Sequence, residues 1–430
     1  MAYEDEDLEK RREQHRQERA FLAKQRKLLR IGFIITGVTM VLCVATLLIT
    51  GGLLRAQLPS GGNPSMEATT LPPTEGTAAP TVPDTVIHLV AGGDVNVTDK
   101  TVAAGTAVSG FDFTDVFMDV APVLAAGDLT SVNFEGSIFG APYGSENRSA
   151  PVEMLKALKN AGVDLVQAAN SYTVYNGLDG LQKTLQGIRD TGMDTVGAYL
   201  DAAEFRKTGG FIIREVQGIR IAIVAFTKGM DGMGLPAGSE DCVNLLYEDF
   251  SSTYQKVDTD GITAVLRAAE KYQPDVTVAL LHWGSEYNDQ LSKTQESITK
   301  LMLKEGVDAI VGTHSHYVQK VSYDEETGTL VAYSLGDLLG DGERGGTEYS
   351  ILLDMEITKD GATGEVKITG FDYTPIFLAD ETASGGSLRL LRIREAMTAY
   401  EESCIGSVSK ETYDAMKNAL SRIENRVNGK

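Results

Sequence analysis

The chain has 430 residues, 42% of them hydrophobic, and a formal net charge of −21 at pH 7. A chain of that length and apolar content can bury a sizeable core, which sets aside a disordered protein. The acidic excess lies wholly in residues 85–430, where 50 Asp+Glu face 29 Lys+Arg, and a surface of that sign sets aside nucleic acid as a partner.

Residues 1–30 form a charged tail; its stretch LEKRREQHRQERAFLAKQRKLLR has helical character, and His15 within it reads as an ordinary solvated side chain. Residues 31–54, IGFIITGVTMVLCVATLLITGGLL, hold no charge. As a helix they span about 36 Å at ~1.5 Å per residue, enough for a hydrocarbon core of ~30 Å. The run is longer than a signal-peptide core, follows a long charged segment and ends without a clear small-x-small cleavage site, so it reads as a retained membrane anchor. Lys24, Arg26, Lys27 and Arg30 crowd its N-terminal side, while only Arg55 follows closely on the other. That asymmetry places the N-terminus in the cytoplasm and the C-terminal part outside the cell. Residues 55–84 are rich in Pro, Thr, Gly and Ala, too poor in large apolar side chains to fold, and read as a linker.

From residue 85 to 380 short apolar runs alternate with amphipathic ones. VIHLVA (86–91) predicts a strand, 114–126 a helix and LTSVNFE (129–135) a strand. VEMLKALKNAG predicts a helix ended by glycine, VDLVQAA a strand, and GLDGLQKTLQGIRDTG a second helix. IRIAIVAFT and DVTVALLHW read as strands buried on both faces, with a helix over GITAVLRAAEKYQ between them. A further helix over SKTQESITKLMLKEG leads to the strand VDAIVG. The pattern then changes to hairpin-like pairs through residue 378. Helices over roughly 388–402 and 409–426 make residues 381–430 a C-terminal helical extension. This succession predicts an α/β domain around mixed sheets. Cys43 falls inside the apolar run; Cys242 and Cys404 have no motif around them and read either as a disulfide pair or as two free thiols.

In open α/β sheets functional side chains collect at the carboxyl ends of strands. Those positions hold Asp94 in AGGDVN, Asn133 and Glu135 in SVNFEGS, Asn170 in QAANSY, His282 in LLHWGSEY, and His314 and His316 in VGTHSHYVQ. Three of the four histidines beyond residue 85 stand at such ends, next to carboxylates. One Asp, one Glu, an Asn carbonyl and three imidazoles suit Mn, Fe, Zn or a similar divalent ion, one or two in number. His314 and His316, two apart, are expected on one side of an extended segment. His88, in mid-strand, has no such role.

Taken in order, GGDV, NFEG, AAN, HWGSEY, VGTHSHYVQ and YSLGD resemble the motifs of the CapA-type capsule-synthesis, or poly-γ-glutamate biosynthesis, family, which is similar to the calcineurin-like metallophosphoesterases. The resemblance spans about residues 86–378 and implies a four-layer α/β/β/α metallophosphatase-like sandwich with a two-metal centre. It carries metal-binding roles onto Asp94, Glu135, Asn170, His282, His314 and His316. It assigns catalytic roles to His282 and Tyr172 and substrate contacts to Trp283, Glu286 and Asn133, with Tyr333, Ser334 and Gly336 in YSLGD matching a further motif. The sequence departs from the family where Ser171 and Tyr172 replace an Asn and a His, Tyr175 an Asp, Ser315 a Pro, and Asp337 an Asn. A phenol with a free pKa near ~10 is a weaker proton donor at neutral pH than the histidine it replaces. The resemblance implies a part in capsule or poly-γ-glutamate synthesis or export, with an anionic polymer and membrane synthase subunits as partners. It leaves open whether the domain is a metal-dependent hydrolase or a non-catalytic polymer-binding or scaffold component of the envelope.

Overall fold

The computed structural model describes residues 82–382 and 387–429. The expected tail (1–30), membrane helix (31–54) and all but the last three residues of the linker lie outside the described residues. Among the described residues no helix is long and apolar enough to cross a membrane.

The chain first lays down four parallel strands, β1 (Thr85–Asn96), β2 (Leu129–Glu135), β3 (Leu165–Gln167) and β4 (Asp194–Val196), each paired with the next. A second sheet follows from β5 (Phe211–Val216), β6 (Ile219–Thr227), β7 (Val276–His282), β8 (Ala309–Thr313), β9 (Val321–Asp324) and β10 (Thr329–Ala332), in the order β5-β6-β7-β8-β10-β9. The chain then returns to the first sheet. The short β11 (Asp337–Leu339) pairs with the end of β1, and β12 (Tyr349–Lys359), β13 (Val366–Asp380) and β14 (Leu388–Arg392) extend the other side of β1 in antiparallel fashion.

The apolar spacing decides which faces meet. On β7 every residue is buried: Val276, Val278 and Leu280 join one core, while Ala279 and Leu281, on the opposite face, join another. That two-sided burial is why the run carries no polar alternation. The first of these cores also takes Ile87, Leu89, Leu129 and Leu165, so it lies between the two sheets. The outer face of the first sheet is covered by α1 (Asp99–Ala104), α2 (Thr114–Phe117), α3 (Ala121–Leu124) and α4 (Val152–Asn160), through Val102, Phe117, Leu124, Met154, Leu155 and Leu158. After α5 (Gly177–Asp190) and α6 (Ala202–Thr208), α7 (Thr259–Glu270) and α8 (Lys293–Lys304) cover the outer face of the second sheet. Ser292 and Gln295 cap the start of α8 reciprocally, which satisfies two of the N–H groups a helix leaves open. The layers therefore run helix, sheet, sheet, helix.

Two expectations change, and one alternative left open is decided. Residues 114–126 form two short helices, α2 and α3, not one. Leu388–Arg392, read as helix, is the edge strand β14, with Leu388, Leu390 and Leu391 buried; the chain's last helices are α9 (Ile393–Glu401) and α10 (Lys410–Val427). Met416, Ala419, Ile423 and Val427 of α10 bury their side chains in the core between the sheets, alongside Ile351, Leu353 and Phe377 of β12 and β13. Cys242, buried, and Cys404, exposed, are free thiols rather than a disulfide pair.

Candidate metal centre

The irregular stretch of β1 that delivers Asp94 is built from close backbone approach. A methyl carbon on Gly93 would lie 1.7 Å from the Gly336 carbonyl oxygen, the same atom that accepts the Asp94 N–H at 3.1 Å. Only glycine lets β1 bulge there and run beside β11, so that Asp94 stands opposite Asp337. On β2, Asn133 and Glu135 are two residues apart and share a face. His282 ends β7, and His314 and His316 follow the end of β8.

These side chains converge as two buried triads. In one, ligand atoms of Glu135, His282 and His314 all lie within 4.8 Å of one another; in the other, those of Asp94, His316 and Asp337 do. Each triad draws on both sheets, since Glu135, Asp94 and Asp337 belong to the first and the three histidines to the second. Asn133 joins them: its amide nitrogen donates to Asp94 Oδ1 at 2.6 Å and lies 3.3 Å from His282 Nδ1. The His282 and His314 rings are 4.4 Å apart, those of His314 and His316 6.2 Å.

Charge in this enclosure is strongly biased. Burial, reinforced by the neighbouring Asp94 carboxylate, pushes Glu135 well above the usual carboxylate range. Burial likewise drives His282 and His314 well below their usual value, so both rings are neutral and can offer a lone pair. Burial raises Asp94 against the opposing pull of His316, and raises Asp337 to about 6. His316 goes the other way: burial opposes its charge, but Asp337, 2.7 Å from Nδ1, together with Glu286 and Glu135, holds it well above the ordinary value.

The donor set fits a divalent ion. Both ring nitrogens of His314 are buried without a hydrogen-bond partner, whereas buried polar atoms are nearly always paired. Neutral imidazole, as at His282 and His314, with carboxylate is the ligand chemistry of Zn, Mn and Fe, and His316 would join by giving up the proton that Asp337 now holds on it. The backbone is also forced: His314 and His316 have φ of 87° and 58°. Left-handed backbone at a residue other than glycine costs about 1–2 kcal/mol and is typical of functional sites. The expected extended segment is thus not what brings these histidines together. The chain kinks at each, and the kinks send them to different triads.

The other residues singled out from the sequence fall as follows. Asn170 abuts the centre as a brace; its amide donates to Asn133 Oδ1 and to the Phe134 carbonyl, and its oxygen accepts from the Tyr172 N–H. Asn133 is enclosed between the triads at 1% exposure and does not line the open cleft. Trp283 does not face the cleft either: it is fully buried, stacked on Tyr333, and donates to that residue's carbonyl at 2.9 Å. Glu286 and Tyr172 do line it, in a cavity of about 440 Å³ beside the second triad. Burial, aided by Glu135, raises the Tyr172 phenol far above its free value, so it holds its proton tightly. His88 pairs with Asp354 away from the centre.

Sequence reasoning noted Asp337 only as a departure from a motif, yet it completes the second triad. Its position at the end of LVAYSLG, another apolar run closed by a carboxylate, was the available signal. Ser171 too was noted only as a departure, yet its N–H donates to His282 Nε2 at 3.2 Å and its hydroxyl lies 3.1 Å from the same atom. Sequence reasoning did not pick out the cleft arginines Arg148 and Arg344.

Fold and site together define an α/β sandwich with paired imidazole–carboxylate triads spanning its two sheets. The chain belongs to the family of bacterial capsule synthesis proteins, PGA_cap, which it matches over residues 88–342. It is 28% identical over 256 residues to the capsule biosynthesis protein CapA of Bacillus anthracis, covering 57% of this chain and 58% of that one. To the PGA biosynthesis protein CapA of Bacillus subtilis (strain 168) it is 26% identical over 262 residues, covering 60% and 64%. The chain thus spans about three fifths of the length of these curated relatives. Among solved structures it aligns with a phosphatase from Mycoplasma pneumoniae at 16% identity, over 70% of this chain and 98% of that one, with a TM-score of 0.42. A putative 5′-nucleotidase from Staphylococcus aureus aligns at 12% identity, over 79% and 58%, with a TM-score of 0.43. Likeness at that level carries no chemistry to this chain.

Proposed function

We propose that this chain is a membrane-anchored component of capsule or poly-γ-glutamate synthesis or export whose outer domain, of metallophosphatase-like build, acts on an anionic polymer through a divalent-metal centre. Residues 31–54 would be the anchor, with the N-terminus in the cytoplasm and membrane synthase subunits as partners. The observation that carries the reading is the pair of buried triads, in which His314 leaves two ring nitrogens unpartnered. Glu135, His282 and His314 would hold one ion and Asp94, His316 and Asp337 a second, with Mn, Fe or Zn the candidates.

When bound, such ions polarise a phosphoryl or carbonyl group and acidify water. The protein's own part is positional. Asn133 fixes the Asp94 carboxylate, Ser171 holds His282 at Nε2, the nitrogen 3.1 Å from Glu135, and Glu286, 3.9 Å from His316, stands where the cleft meets the centre. Tyr172 supplies a hydrogen-bond donor at the cleft wall.

The full chain, purified without a histidine tag, should carry divalent metal by elemental analysis. With Mn²⁺ it should cleave a phosphodiester or poly-γ-glutamate, and His282→Ala should abolish turnover. A metal-free wild-type chain, inactive on both substrates after reloading with each metal, refutes the reading. A second reading, a non-catalytic polymer-binding component, is favoured by one observation: Tyr172, in the place of the family's histidine, keeps its proton too tightly to serve as a ready acid. Metal-dependent polymer binding without turnover would decide for it.

A further inference from the structure

We propose that Arg148 and Arg344 form a pair of oxyanion receptors at the mouth of the centre, which hold charged groups of an anionic substrate chain while a neighbouring segment lies at the triads. The inference rests on the functional reading above and names the substrate chemistry that this site selects. Both arginines line the cleft that also exposes His316 and Asp337 of the second triad. The Arg148 guanidinium lies 4.3 Å from the centre of the Tyr172 ring, and that of Arg344 4.0 Å from the centre of the Tyr287 ring. Tyr287 in turn stacks on His316 with ring centres 5.1 Å apart. An arginine on an aromatic face is held in its plane by cation–π attraction, with its N–H edge left for an in-plane partner.

What that edge meets is telling. Arg148 donates to the Val97 carbonyl at 3.3 Å, and neither arginine makes an ion pair among the described residues. Elsewhere in this acidic protein arginines do pair: Arg189 with Glu204, Arg392 with Glu395 and Arg426 with Asp289. The cleft itself contains Glu286, Asp341 and Glu343, so acids stand near and are left unpaired by these two. A guanidinium fork matches a carboxylate or phosphate through two parallel hydrogen bonds. In a domain that repels polyanions overall, two such forks beside the centre give an anionic chain somewhere to settle. The shared ligand chemistry is an oxyanion, carried either by the free carboxylates of a γ-linked glutamate chain or by a phosphate.

The test uses the full chain loaded with Mn²⁺ and three probes: a γ-linked glutamate oligomer, its fully methyl-esterified counterpart, and a phosphodiester. Binding is measured by calorimetry, with metal content followed in parallel. Arg148→Gln and Arg344→Gln are each expected to weaken the oligomer about tenfold, with metal content unchanged, because each removes charged hydrogen bonds. The esterified oligomer should bind wild type no better than the double variant binds the oligomer. Arg148→Lys, which keeps the charge and loses the fork, should fall between. Equal binding by wild type and the double variant overturns the proposal, as does tight binding of the ester or wild-type binding of no probe. If only the phosphodiester depends on the arginines, they remain receptors and the polyglutamate reading fails. If turnover of polyglutamate persists at unchanged KM in the double variant, the function stands and the receptors fall.

Discussion

His314 is expected to weaken the metal-free protein and strengthen the loaded one. Its ring carries two buried nitrogens without hydrogen-bond partners. Each such group costs about 1–3 kcal/mol of unreturned desolvation. His314→Leu replaces the ring with an apolar side chain of similar bulk and keeps a Cβ, so the backbone cost at φ 87° stays. Removing two unpaired polar atoms should stabilise the chelated form by roughly 2 kcal/mol once imperfect repacking is allowed for. In a domain larger than 250 residues that is a rise in Tm of a few degrees. With metal at about a thousand times its Kd, wild type should gain about 4 kcal/mol that the variant, lacking a donor, does not. The two proteins should therefore exchange rank: the variant melts higher in chelator, wild type higher in excess Mn²⁺. Thermal unfolding in both buffers, with metal content measured on the same samples, checks this. A variant less stable than wild type in chelator, or one with the same metal-induced shift, refutes the reasoning.

Gly93→Ala places a methyl carbon 1.7 Å from the Gly336 carbonyl and should cost about 3 kcal/mol or more in denaturant unfolding, while parting Asp94 from Asp337 and lowering metal content. Arg426→Ala removes the ion pair to Asp289 and the cover over Tyr317, and should cost about 1 kcal/mol and quicken amide exchange through residues 286–290 without changing metal content. His88 offers a pH test: its hydrogen bond to Asp354 raises its pKa, against the opposing effect of burial. A raised pKa in the folded state means the contribution is fully present below about pH 6.5 and is lost as pH rises through the folded value. The pair is more than a third exposed, so screening limits the effect to under about 0.5 kcal/mol. His88→Asn should therefore narrow the stability difference between pH 5.5 and pH 8.5, measured by urea unfolding.

Much of the centre was legible because strand ends announce themselves: Asp94, Glu135 and His282 each close an apolar run, and a strand fixes where its last side chain goes. His314 and His316 were found in the same way, just past the apolar run of β8, but their geometry was not, since the sequence carries no mark of the two left-handed residues that send them to different triads. Trp283 shows the limit of proximity along the chain; one residue beyond His282 it turns into the outer core, because alternate side chains on a strand face opposite ways. Residues 194–216 were left unread: β4 is three residues long, too short for a period to declare itself. The strand LRLLR of β14 passed for a helix because five residues with leucines at first, third and fourth place satisfy either spacing, and only pairing with β13 decides.

Each triad takes donors from both sheets, and this orders the maturation of the molecule. A half-assembled chain with its sheets apart could present no more than two of the three triad side chains to any one ion, so full coordination would await docking. The rate of ion uptake would then report the closing of the sandwich.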